Sequence, residues 1–533
     1  MRRVALAALC SLLTTFAVAD QGHQHDLTDQ ELGSVHFSTS CAKPVAANFN
    51  RAVALLHSFQ YEQARAAFGE IATKDPQCAM AHWGVAMSHY HGLWENGDFA
   101  AGRVAWQKAQ ETAAANSKAT GREKAYIAAL GEIYREGDED MAVRGRAFEQ
   151  KMGELQAANP DDSEAAIFHA LTLAITAPKT DKTYANQRKC GQILEPIFAK
   201  LPHHPGVAHY IIHCYDNPVL AEQGLEAARA YAKIAPASAH AHHMPSHIFT
   251  RVGLWDESIA SNSRSAETAA AAEATSENGE ARDQRLHALH YLEYAYLQSG
   301  RVALAKGVVE QVQSLPPVPG LSHIADYALA AVPARYVLEL GKWKDASALA
   351  VRAEGVPWAQ AITWMAVGIG GARSGNLDRA DQAEKALAAL RDETAKRDNQ
   401  YWSKQIEVQR REVAAWILEK KGKGDEALSA MRSATDLEDT MDKSSVTPGA
   451  VIPARELLAE LLLLEHNARQ AFVEYETVLK SAPNRFNALY GAAQSAAAFG
   501  ENTTALEYYK KLTETTAGNE RPEIETARQK LAE

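Results

Sequence analysis

Two histidine pairs, His209/His213 and His243/His247, stand 34 residues apart. Each pair is spaced i, i+4, so on a helix its two rings project from one face. Pro202 and Pro236 repeat the same step, which puts each pair at the seventh and eleventh residue after its proline. This register narrows the fold sharply. A chain with a period of that length stacks short supersecondary units, and equivalent positions of neighbouring units lie side by side. The expectation is four imidazoles brought together by architecture.

At 533 residues the chain exceeds what one compact core can serve. Aromatics make up only 8%, Ala, Leu, Glu and Lys abound, and alternating Val/Ile runs are scarce, which favours helix. Helical hairpins recur from Asn48 onward. Phe49 to Phe59 reads as one helix. Tyr61, Ala64, Phe68 and Ile71 form the apolar face of the next, which Asp75-Pro76 ends, and Ala79 to Tyr90 starts another unit. Later units open on Gly253-Leu254-Trp255, Gly300, Gly341-Lys342-Trp343, Gly375-Asn376-Leu377 and Gly424-Asp425-Glu426. The clearest are the last two, where Asn467-Ala468 leads to Ala471, Tyr475 and Pro483, and Gly500-Glu501 leads to Ala505 and Tyr509. Over most of residues 46–515 the pattern resembles the tetratricopeptide repeat (TPR) family. The stretch His240 to Phe249, HAHHMPSHIF, further resembles exported bacterial TPR proteins with an HxHHMPSHIF segment. The resemblance implies an all-α solenoid of helix–turn–helix repeats with a concave groove lined by the first helix of each unit. The expected organisation is an irregular segment at 20–45, an array at 46–267 carrying the histidines, an Ala/Glu-rich linker at 268–283 and a second array at 284–533. Lys443 to Pro453, with two prolines, reads as a further irregular join.

Residues 1–19 read as a signal peptide. Arg2 and Arg3 precede an apolar stretch from Val4 to Val18, and Ala17-Val18-Ala19 is a small-residue cleavage pattern. The chain is therefore expected to be exported, periplasmic or secreted, with no transmembrane segment once mature. Loss of the two arginines leaves a formal charge of about −13, a surface that repels a phosphate backbone, so nucleic acid is not an expected partner. Four cysteines follow the cleavage point, and an even number in an exported chain suggests disulfides. The most local pairing is Cys41–Cys78 with Cys190–Cys214. The rival reading makes Cys214, beside His213, a thiolate ligand.

Eight of the 20 histidines lie between His203 and His247. If Gly300 takes the turn position of Gly253, His290 matches His243 and His209, His287 matches His240, and Tyr294 matches His247 and His213. The candidate metal ligands are therefore His209, His213, His240, His243, His247, His287 and His290. Imidazole suits transition metals, here copper or zinc, and a helical i, i+4 pair can chelate one ion. Pro245, between His243 and His247, is expected to push Met244 off helical angles, so that the helix kinks or begins late. Such a local conflict tends to mark a functional site.

Other histidines read more plainly: His169 as core, His57 as structural, and His82, His89 and His91 as aromatic packing with Trp83 and Trp94. Arg335 and Glu339 read as a surface ion pair. The zincin motif, the c-type haem motif and the nucleotide-binding glycine loop are lacking, and no catalytic pair stands out. Three readings follow. The first is an exported scaffold whose groove histidines bind copper or zinc. The second is a metal-independent scaffold that grips a protein or peptide in its groove. The third is a metal-dependent enzyme assisted by Glu293 or Tyr294.

Overall fold

A computed structural model describes residues 28–94, 97–137, 140–274, 276, 279–316, 322–397 and 399–533. The expected signal segment at 1–19 and the first part of the irregular segment, 20–27, lie outside the described residues.

The described residues form α-helices joined by short turns, with two single 3₁₀ turns and no strand. Apart from Ala239–His243 and Pro245–Val252, which follow one another through Met244, helices adjacent in the chain pack on each other. The first helices of successive hairpins also touch one another. Glu280–Gln298, His323–Glu339, Pro357–Ser374, Gln400–Lys420, Ala454–Leu464 and Phe486–Ala498 form such a series. This is an all-α, TPR-like solenoid. Among the described residues no helix is long and apolar enough to cross a membrane.

Local chemistry sets the helix ends near the histidines. Pro205 opens Pro205–Tyr215 at its first turn, where a missing N–H costs nothing. Ser238 caps Ala239–His243, its side chain accepting from the Ala241 N–H at 3.2 Å. Gly253, at φ 71°, closes Pro245–Val252 in the left-handed region. A Cβ there would stand 2.3 Å from the Pro483 carbonyl oxygen, because a C-terminal hairpin closes onto this turn. The same approach gives the Trp255 indole N–H a partner in the Asn484 carbonyl, at 3.1 Å.

Several expectations need correction. Met244 keeps helical angles (φ −54°, ψ −38°), and its N–H still donates to the His240 carbonyl at 2.9 Å. The other half of the expectation holds: a new helix begins at Pro245, whose lack of an N–H costs nothing at a first turn. The first hairpin helix ends at His57, and the unit begun at Ala79 ends at Met87. Arg335 and Glu339 are not a surface pair. Both are buried, because His323–Glu339 is enclosed by neighbouring helices: Arg335 faces Glu293 at 3.7 Å, and Glu339 pairs with Arg485 at 2.7 Å. The irregular stretch from residue 28 still packs, since Leu32 and Phe37 enter the core. Within 268–283, Thr268 to Ala272 complete Trp255–Ala272, and Glu280 starts the next helix. Glu273 ties the turn to Arg282 and Arg285, at 2.6 and 3.0 Å. One hydrophobic core runs continuously past this join.

Cys41–Cys78 and Cys190–Cys214 are disulfide-bonded. The second joins Ala185–Lys200 to Pro205–Tyr215, which removes Cys214 as a thiolate ligand.

Candidate metal centre

The structure gathers six of the seven candidate histidines into two groups of three. His209, His213 and His240 form one; His243, His247 and His287 form the other. Within each group the ligand-capable atoms all lie within 4.8 Å of one another. Four short steps of chain carry them. Pro205–Tyr215 supplies the first pair, Ala239–His243 supplies His240 and His243, Pro245–Val252 supplies His247, and Glu280–Gln298 supplies His287. Each group thus joins a pair four apart on the chain to one ring from an adjacent element.

His290 stands outside both groups. Its ring lies 5.6 Å from Tyr327, centre to centre, near Arg335. Tyr294 packs on Trp255 and receives a hydrogen bond from Arg485 at 3.3 Å. His287 meets the preceding pair, His243/His247, as its expected counterpart His240 meets His209/His213, while His290 enters neither group.

The protons can be placed from the partners. His209 Nδ1 lies 2.6 Å from the His57 carbonyl oxygen, which can only accept, so His209 carries its proton on Nδ1. His243 Nδ1 lies 2.7 Å from Asn262 Oδ1. The Asn262 amide is oriented by its own donation to the Ser258 carbonyl, at 2.8 Å. His247 Nδ1 lies 2.8 Å from Asp216 Oδ2. Burial alone would raise the Asp216 carboxyl, but Lys443 at 2.6 Å and Arg251 at 2.9 Å outweigh it and hold the group well below the usual carboxylate range. Asp216 is therefore an acceptor as well.

Three rings thus donate from Nδ1, and in each the Nε2 lone pair is free to ligate. His243 and His247 aim these lone pairs at each other across 3.0 Å. His209 Nε2 lies 3.0 Å from Nε2 of both His213 and His240, two neighbours competing for one lone pair. His287 Nδ1 is buried without a hydrogen-bond partner. Burial also keeps the rings uncharged. It pushes His209 down to about 3 and holds His240, His243 and His287 well below the ordinary imidazole range, with repulsion from neighbouring imidazoles added. Neutral lone pairs converging without a proton between them repel, and a cation between them removes that conflict. Two nitrogens on one tetrahedral zinc stand about 3.3 Å apart, close to the spacing here. Acceptors behind metal-facing imidazoles are also the arrangement that fixes ring orientation and raises basicity.

The surroundings are aromatic and dry. Phe59 packs 4.4 Å from His209 and 5.3 Å from His240, Trp94 lies 5.3 Å from His240, and Tyr231 stacks on His209 at 5.1 Å. Tyr291 covers His243 and His247, both at 4.8 Å. The rings therefore do not line an open groove; only His213 is partly exposed. A cavity of about 260 Å³ approaches from one side, bordered by Arg251, Lys443, Tyr294, Tyr327 and Thr447.

A third cluster contrasts with these two. His57 Nε2 and His204 Nε2 each meet an oxygen of Glu164, at 3.0 and 2.9 Å, and His57 Nδ1 meets the Tyr210 hydroxyl at 2.9 Å. Here donors and acceptors alternate, and the set supports the first group through the His57 carbonyl. His169 is core, its Nδ1 bonded to Gln156. His91 stacks on Tyr61 at 3.9 Å, while His82 and His89 belong to neither group.

Asp216, Asn262, Arg251 and Lys443 did not stand out in the sequence. Asn262 and Asp216 lie 19 and 31 residues from the rings they support, and Arg251 and Lys443 act through Asp216, 35 and 227 residues away.

No family model matches the chain, and no curated relative matches it in sequence. Solved helical-repeat structures align along much of it. Yeast Tom70 is 13% identical over 92% of this chain and 96% of that one, with a TM-score of 0.28. Human IFIT1, as a dimer with PPP-AAAA, is 14% identical over 74% and 83%, at 0.34. A monomeric mutant of IFIT1 with Gppp-AAAA is 11% identical over 82% and 90%, also at 0.34. At these scores the alignments carry no argument about what the chain binds.

Proposed function

We propose that the chain is an exported scaffold that holds a transition metal, copper or zinc, in its buried histidines. The observation that carries this reading is the facing pair of Nε2 lone pairs on His243 and His247, 3.0 Å apart, with both Nδ1 protons committed to Asn262 and Asp216. A cation bound by both nitrogens relieves that arrangement while both rings stay neutral. All-imidazole donors suit copper and zinc rather than magnesium or calcium, which prefer oxygen. Two disulfides accord with an oxidising compartment, and the signal-like residues 1–19 accord with export.

The test is elemental analysis of the purified protein, before and after loading with copper(II) or zinc(II) and removal of excess. At least one ion per chain is expected, and the His209→Ala/His243→Ala variant should lose it while keeping its far-UV circular dichroism. A native-like chain that takes up neither metal overturns the proposal.

A further inference from the structure

The two groups of three do not look like independent sites, and this inference rests on the metal-binding reading above. Within a group, ring centres are 4.8 Å apart for His209–His213 and His209–His240, 4.9 Å for His243–His247 and 4.3 Å for His243–His287. Across the boundary they are hardly farther: 6.2 Å for His213–His247 and 6.1 Å for His240–His243. His240 and His243 are moreover three residues apart on one short helix, so one rigid element feeds both groups.

We infer that the six histidines form one binuclear centre, in which two ions, each held by three imidazoles, share a small bridging anion such as hydroxide. Three observations lead there. The first is the count: three neutral nitrogens per ion leave a coordination position open, as sites that bind an exogenous ligand do. The second is proximity: the ring spacing across the boundary suits ions at the roughly 3.5–4 Å of two-metal sites that share an oxygen ligand. The third is charge. Six neutral donors leave two divalent ions almost uncompensated in a dry interior, with Asp216 the carboxylate hydrogen-bonded to a ligand ring and itself engaged by Lys443 and Arg251. A buried cationic pair of this kind demands an anion between the ions.

Copper(II) is the probe, because two copper(II) ions joined by a bridging oxygen couple their spins. The full chain is loaded with copper(II), freed of excess, and its metal content is compared with the spin count from electron paramagnetic resonance. Two coppers per chain with most of the spin signal missing is the expected result. His240→Ala and His287→Ala, each removing one ring from a different group, should each lower the content toward one copper and restore a full signal per copper. Two coppers with full spin intensity, or a single copper in the wild-type chain, overturns the binuclear centre and leaves the metal-binding reading standing. No copper and no zinc overturns both. The wild-type count and spin decide the matter even if either variant fails to fold.

Discussion

Asn262 touches no metal-facing nitrogen, yet its removal should weaken the centre. Its Oδ1 accepts from His243 Nδ1 at 2.7 Å and from the Ser246 hydroxyl at 3.2 Å. In Asn262→Leu the shape is nearly kept and the acceptor is lost. His243 then has two options. It can keep an orphaned, buried Nδ1–H, at a cost of about 1–3 kcal/mol. Or it can move the proton to Nε2, which covers the lone pair that faces His247. Both options oppose metal binding. Losing the partner behind a metal-bound imidazole weakens affinity about 10- to 100-fold, equivalent to about 1.4–2.7 kcal/mol. Zinc(II) competition against a chromogenic chelator measures this directly, with circular dichroism confirming the fold. Asn262→Asp restores the acceptor and should recover much of the affinity, which a purely steric account does not predict. Wild-type affinity in a natively folded Asn262→Leu variant would refute the proton assignment on which the site reading stands.

Three further outcomes follow from the same geometry. Gly206→Ala would place a Cβ 2.5 Å from His57 Nδ1, in a ring held by Phe168, His204 and Tyr210; overpacking of about 1–3 kcal/mol should lower the melting temperature and loosen His209 through the His57 carbonyl. Opening the disulfides frees loops set by sequence separations of 24 and 37 residues, so Cys190→Ala/Cys214→Ala should lose about 3.5 kcal/mol and Cys41→Ala/Cys78→Ala about 3.9 kcal/mol in urea unfolding. Burial pushes the Asp283 carboxyl up to about 6, against the hydrogen bonds it accepts from Ser322. Because the folded value lies above the unfolded one, the protonated form favours the fold: that contribution is complete below about pH 3.8 and is lost as pH rises through about 6. Asp283→Asn should therefore stabilise the chain at pH 8 by on the order of 3 kcal/mol and leave it unchanged near pH 3.8, as read by urea midpoints at the two pH values.

The repeat period and the four paired histidines were legible because both depend on local spacing. So was the cysteine pairing, since each bridge joins elements close in the chain. The third ring of each group was harder. His287 aligns with His240 by counting back from the turn glycines, and in space each meets the pair of the preceding unit, His240 4.8 Å from His209 and His287 4.3 Å from His243, but the same count gave no sign that His290 would fall outside both groups. Met244 shows where a local rule misleads: a proline that would disrupt a helix interior instead begins a new helix whose first turn needs no N–H. Arg335 and Glu339 read as solvated because charged residues four apart usually are. Their burial depends on Glu293 and Arg485, which no short window of sequence brings near. Asp216 takes one of its two cations, Lys443, from 227 residues away.

That last contact has a consequence for how the molecule is made. Lys443 reaches Asp216, Ser445 donates to the Leu93 carbonyl, and Tyr291 donates to the Thr447 carbonyl, so a strap from late in the chain fastens over segments synthesised much earlier. Hairpins of neighbouring sequence can form as they emerge, whereas contacts of such large separation wait on loop closure. Until the strap arrives, Asp216 has Arg251 but lacks the second of the two cations that hold it ionised as an acceptor for His247. The finished cage is thus a property of the whole polypeptide, and a chain cut short before residue 443 would fold its repeats yet lack the strap over its histidines.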